Sequence, residues 1–127
     1  MRMWRVDPQL MCRQHLLGEH VELHIMVGTL RAGKRMDGYY TKGLVDVRLI
    51  LGRHGQLVRE MEARGMAHRS SLPPFPDVRA GAVDAAASAV ELARRCPACR
   101  SLGAAEAGAA APEAAVRGMP AGLARRG

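Results

Sequence analysis

Apolar positions along the chain fall into three helix-period stretches separated by glycine- and proline-rich breaks. Ahead of them, residues 1–6 (Met-Arg-Met-Trp-Arg-Val) alternate basic and apolar side chains and read as an extended lead-in, too apolar to float free. Asp7 can accept from the orphan amides of a first turn and Pro8 suits the first helical position. A helix is therefore predicted from residue 8 to about residue 31, with Gly33 as its stop. A second is predicted from Asp46, a competent N-cap, to Arg64, before Gly65. Leu49, Ile50, Leu57 and Met61 give it an apolar stripe, while Gly52 and Gly55 weaken its middle. Ser70 to Pro76 breaks any helix, and a third is predicted from about Val83 to Arg95. From residue 101 the chain is mostly Ala, Gly, Pro and Arg and is read as a disordered tail, which leaves residues 1–100 as the folded domain.

Composition sharpens this picture. The 127 residues allow one small domain. Trp4, Tyr39, Tyr40 and Phe75 are its whole aromatic set, so Leu, Val, Ile, Met and Ala must build the core. That favours an all-α fold over sheets. The net charge of +7 is spread through the folded part and points to a polyanionic partner, nucleic acid first. Residues 31–42 form a glycine-punctuated loop with four cations (Arg31, Lys34, Arg35, Lys42) and both tyrosines, suited to neutralising phosphates and stacking on bases. Cys12, Cys96 and Cys99 do not make a disulfide framework. No signal peptide or membrane-length apolar run is seen, so a reducing cytoplasm is expected. Cys96-Pro97-Ala98-Cys99 has the spacing of half a zinc site or a redox pair, but no second ligand pair is evident, and a structural or incidental role is expected.

The densest chemistry lies in His15-Leu-Leu-Gly-Glu19-His20-Val-Glu22-Leu-His24, with three imidazoles and two carboxylates in ten residues of an apolar helix. At roughly 100° per residue, His15, Glu19 and Glu22 share an arc of about 60°. His15 and Glu19 stand one turn apart and can pair with each other. His20 and His24 lie on another face with metal-ligand spacing, and no third ligand is evident.

Three segments carry a resemblance. Gln14-His-Leu-Leu-Gly-Glu-His-Val-Glu-Leu23 resembles the first helix of the pyrimidine-dimer DNA glycosylase family of bacteriophage type. Gly33-Lys34-Arg35 is similar to its basic stretch after that helix. Arg53, Leu57-Val58, Glu60 and Arg64-Gly65-Met66 are similar to its second helix. The matches keep the family's order and cover residues 1 to about 69. The resemblance implies an all-helical DNA repair enzyme that removes a damaged base and nicks the strand without metal or nucleotide cofactor. It implies the α-amine of Met1 as nucleophile and Glu22 as the essential carboxylate. Arg2, Arg5, Gln14, His15, Glu19, Arg31, Lys34 and Arg35 become the residues expected to meet damaged double-stranded DNA, with the protein acting as a monomer. An α-amine suits the role because its reference pKa of about 7.7–8.0 leaves a neutral fraction at pH 7. Two departures bear on the lesion: Val21 stands where bacteriophage-type members carry an arginine, and no aromatic follows Phe75.

Two other readings use the same residues. A helical domain could bind DNA without chemistry, and His15, Glu19, His20 and His24 could serve a small metal-binding protein.

Overall fold

The computed structural model describes residues 1–67 and 70–110. It is all-α, with no strand among the described residues. The described residues form five α-helices: α1 (Arg13–Arg31), α2 (Asp37–Thr41), α3 (Ile50–Ala63), α4 (Ala85–Arg95) and α5 (Pro97–Ala110). Short 3-10 turns at Pro8–Leu10 and Val47–Leu49 precede α1 and α3.

The predicted first helix starts later than the Asp7-Pro8 signal suggests. Asp7 does cap, its Oδ1 accepting from Gln9 N–H at 2.9 Å, but what it caps is the 3-10 turn. Met11 and Cys12 are then extended, and α1 begins at Arg13. Arg64 explains the break. Its Nη2 donates to the carbonyls of Pro8 at 2.9 Å and Met11 at 2.7 Å, and the latter is the acceptor a continuous helix would offer to His15. Met11 itself is fully buried. At the other end Gly33, at φ +72°, stops α1 as expected.

The second predicted helix is present with its first turn tightened to 3-10, where Asp46 accepts from Arg48 N–H at 3.1 Å. Gly65 closes it at φ +77°. α4 begins behind Asp84, whose side chain accepts from Ala87 N–H at 3.0 Å. α5 corrects the expected tail: residues 101–110 continue a helix, in keeping with alanine's high helix propensity. Residues 111–127, the rest of that expected tail, lie outside the described residues.

Met3, Met11, Leu16, Leu23, Met26, Val27, Val45, Ile50 and Leu57 form the centre of the core, where α1 packs on α3. α5 packs on α4 and on the turn at residues 8–10, closing the start of α1. The lead-in is extended and held, as expected: Met3 N–H donates to Leu44 O at 2.7 Å. Residues 80–81 clip to 46–47 through an isolated Asp46–Gly81 bridge. Gly81 sits at φ +84° so close to Val45 that a Cβ would come 2.0 Å from its carbonyl oxygen. No helix among the described residues is long and apolar enough to cross a membrane.

Candidate functional site at the chain start

The lead-in lies against the middle of α1. Glu22, half-buried, accepts the backbone N–H of Arg2 on Oε1 at 2.7 Å. The Met1 nitrogen is three covalent bonds from that amide, which keeps it within about 6.5 Å of the same carboxylate oxygen. Two anchors fix this register: the Met3–Leu44 bond and burial of Met3 and Trp4.

The Arg2 guanidinium stacks over the Trp4 ring, 4.1 Å from its centre, with Arg95 at 5.7 Å from the same ring. Burial, then repulsion from Arg95, lowers the Arg2 pKa below the usual arginine value. Its Nε is buried and finds no acceptor among the described residues. Behind Arg95 stands Glu91, held by Arg94 at 2.6 Å and by Arg95 at 2.5 Å.

His15 and Glu19 do not pair, although they share the stripe. Glu19 is 1% exposed and takes a two-pronged grip from Arg53, at 2.7 Å from Nε and 2.9 Å from Nη2. A buried carboxylate gains far more from a bidentate guanidinium than from an imidazole. Arg53 Nη1 also donates to Val6 O at 2.7 Å, so this pair ties α3 and α1 to the lead-in. Arg53 belongs to the third resembling segment, and its grip on Glu19 spans 34 residues, beyond the reach of any local pattern. Glu19 is therefore spent on this buried ion pair and closed off from a nucleic acid, contrary to its expected contact with DNA.

Of the remaining cations, Arg5 is exposed but bonds Val83 O at 2.8 Å from a left-handed backbone (φ +57°). Gln14 is exposed on the first turn of α1. Arg31, Lys34 and Arg35 are exposed at its far end, where Arg31 donates to Pro74 O and Arg35 pairs with Asp37. The loop expected at 31–42 contains α2, and Tyr39 and Tyr40 pack half-buried against the core rather than standing out for bases. An open groove of about 630 Å³ runs along Arg5, Asp7, Gln9, Gln56 and Arg59, between the lead-in and α3.

Two further clusters join residues that are distant in sequence. His54 on α3 completes a trio with His20 and His24, ring centres 4.9–5.2 Å apart, supplying the third imidazole that local spacing could not reveal. His15 turns instead to Cys12, Cys96 and Cys99, with all four ligand atoms within 4.8 Å of one another. Cys12-x-x-His15 thus faces Cys96-x-x-Cys99 as a second pair of metal-ligand type at the same spacing. The residues assigned to one His/Glu metal reading are split among the buried ion pair and these two clusters.

No curated protein and no solved structure matches the chain. A family profile described as pyrimidine dimer DNA glycosylase matches residues 1–73, more than half of the sequence and the whole of the lead-in, α1 and α3. The chain belongs to the pyrimidine dimer DNA glycosylase family, a family of DNA repair enzymes.

Proposed function

We propose that this family member is a glycosylase with an associated abasic-site lyase activity, acting on damaged double-stranded DNA and on pyrimidine dimers first. The observation that carries the reading is the 2.7 Å bond from Arg2 N–H to Glu22, which holds the chain start at a half-buried carboxylate. With Met1 as the mature terminus, its neutral amine attacks C1′ of the damaged nucleotide. The bond from C1′ to the base breaks, and the base leaves with the electron pair and takes up a proton. Opening of the sugar ring gives a protonated imine between the Met1 nitrogen and C1′. Loss of a C2′ proton feeds electrons into that imine, and the C3′–O bond breaks, releasing the 3′ phosphate. Glu22 stabilises the positive charge that grows on the sugar and moves the protons, a role that needs a fixed, partly desolvated carboxylate.

The cations fit a bent duplex. Arg2, part-exposed beside Glu22, is assigned to the phosphate next to the flipped nucleotide. Arg31, Lys34 and Arg35 hold the backbone farther on, since Arg31 is nine residues beyond Glu22, about 14 Å along the axis. Such contacts offset the few kcal/mol of unstacking that base flipping costs.

Glu22→Gln tests the assignment, with intact mass confirming that the chain starts at Met1. Incision of an ultraviolet-irradiated duplex should fall by about 10²-fold or more while binding persists. Incision by the variant at the wild-type rate would remove Glu22 from the chemistry.

A further inference from the structure

We infer that Cys12, His15, Cys96 and Cys99 form a structural zinc site that fastens the C-terminal helices to the start of α1. Four protein atoms of zinc-ligand type converge here from two places in the chain. Cys12 Sγ lies 3.3 Å from His15 Nδ1 and 3.8 Å from Cys96 Sγ, and Cys99 Sγ lies 3.7 Å from His15 Nδ1. A tetrahedral zinc with Zn–S of about 2.3 Å and Zn–N of about 2.0–2.1 Å puts sulfurs about 3.8 Å apart and sulfur and nitrogen about 3.5 Å apart. Those three distances stand near that spacing, and all four atoms lie within 4.8 Å of one another.

The two halves are built alike. Cys12 is the extended residue before α1, with His15 three residues on in its first turn. Cys96 is the extended residue after α4, with Cys99 three residues on in the first turn of α5. Each helix start therefore throws two ligands to one side, and the two pairs face each other. Backbone amides support the sulfurs: Cys12 N–H donates to Cys99 Sγ at 3.2 Å and Cys99 N–H to Cys96 Sγ at 3.4 Å. These bonds disperse thiolate charge, as outer contacts at metal centres commonly do.

A disulfide accounts for the cluster less well. Any one disulfide would leave a third thiol and an imidazole packed against it, and 3.8 Å between Cys12 and Cys96 is far beyond the S–S bond length of about 2.05 Å. Four protein ligands also leave no open position, so the ion would be structural and would take no part in base removal. Only Cys12 and His15 fall within the family-matched residues 1–73, so the site depends on the segment that follows. Its place matters for the candidate active site: the Trp4 ring packs edge-on to His15, ring centres 6.0 Å apart, and carries Arg2 on its face.

The test uses the full-length protein, purified under reducing conditions and given zinc or cobalt(II) alone. We expect about one tightly held zinc per chain and, on cobalt exchange, the intense thiolate-to-cobalt charge-transfer bands and d–d bands of a tetrahedral sulfur-rich site. His54→Ala should leave both unchanged, which separates this centre from the trio of imidazoles. The pair Cys96→Ser, Cys99→Ser should lose the metal and the charge-transfer bands. If that variant fails to fold, the wild-type cobalt spectrum still decides. Failure to bind either ion, a cobalt spectrum without thiolate bands, or a two-proton mass loss showing a disulfide in the freshly purified protein would each overturn the site.

Discussion

Arg53 reaches from α3 to hold both carboxylate oxygens of Glu19, at 2.7 and 2.9 Å, with both side chains almost wholly buried. Removing one member strands a buried charge, and such losses cost about 3–5 kcal/mol, whereas replacing both with apolar residues is often far milder. Arg53→Met should therefore lower unfolding free energy in urea by about that amount. Glu19→Leu combined with Arg53→Met should cost much less than the two singles summed. Additive losses would mean that the two side chains act independently.

Arg2 combines a position beside the chain start with a buried Nε that has no acceptor among the described residues. If it meets a phosphate, Arg2→Ala should weaken binding to all duplexes alike and reduce the slope of log affinity against log salt by about 0.9. Fluorescence anisotropy across a salt series measures it. An unchanged slope would place the guanidinium away from the DNA backbone.

The parts of this architecture that could be read from sequence were those set by local pattern. The resemblance singled out Glu22 and the chain start, and the fold holds the two close through the Arg2–Glu22 bond, while their catalytic roles rest on the proposal. Partnerships made across the fold were hidden. Glu19 looked free to pair with His15 because Arg53, 34 residues away, was not yet in place. Cys12-x-x-His15 repeats the spacing of Cys96-x-x-Cys99, yet it has meaning only once folding closes a gap of 84 residues. The late start of α1 depends likewise on Arg64 taking carbonyls that a local reading gives to the helix.

Hydrogen bonds from Arg94 and then Arg95 hold the Glu91 carboxyl down to about 2. Its folded pKa lies below the ordinary value of 4.5, so the stabilisation is complete above that pH and is lost as pH falls toward about 2. Carboxyl NMR should show Glu91 titrating with a midpoint near that lower value. Glu91→Gln should flatten the part of the acid stability curve that Glu91 contributes in this window. A titration near the ordinary carboxylate value would show the pairing to be absent in solution.

Gly81 joins residues 80–81 to 46–47 at a positive φ, with no room for a side chain. Gly81→Ala should lower stability by more than about 1 kcal/mol, through strain and the clash with Val45. Thermal unfolding would reveal it. An unchanged midpoint would mean that this clip gives way without cost.

Borohydride reduction in the presence of an ultraviolet-irradiated or abasic duplex, followed by peptide mapping of any adduct, tests the central proposal most directly. The expected product is a covalent protein–DNA species whose cross-link maps to the α-amine of Met1, and whose formation is lost when that amine is acetylated. An adduct mapping to a lysine, or no adduct on an abasic duplex with the Met1 amine shown to be free, would contradict it.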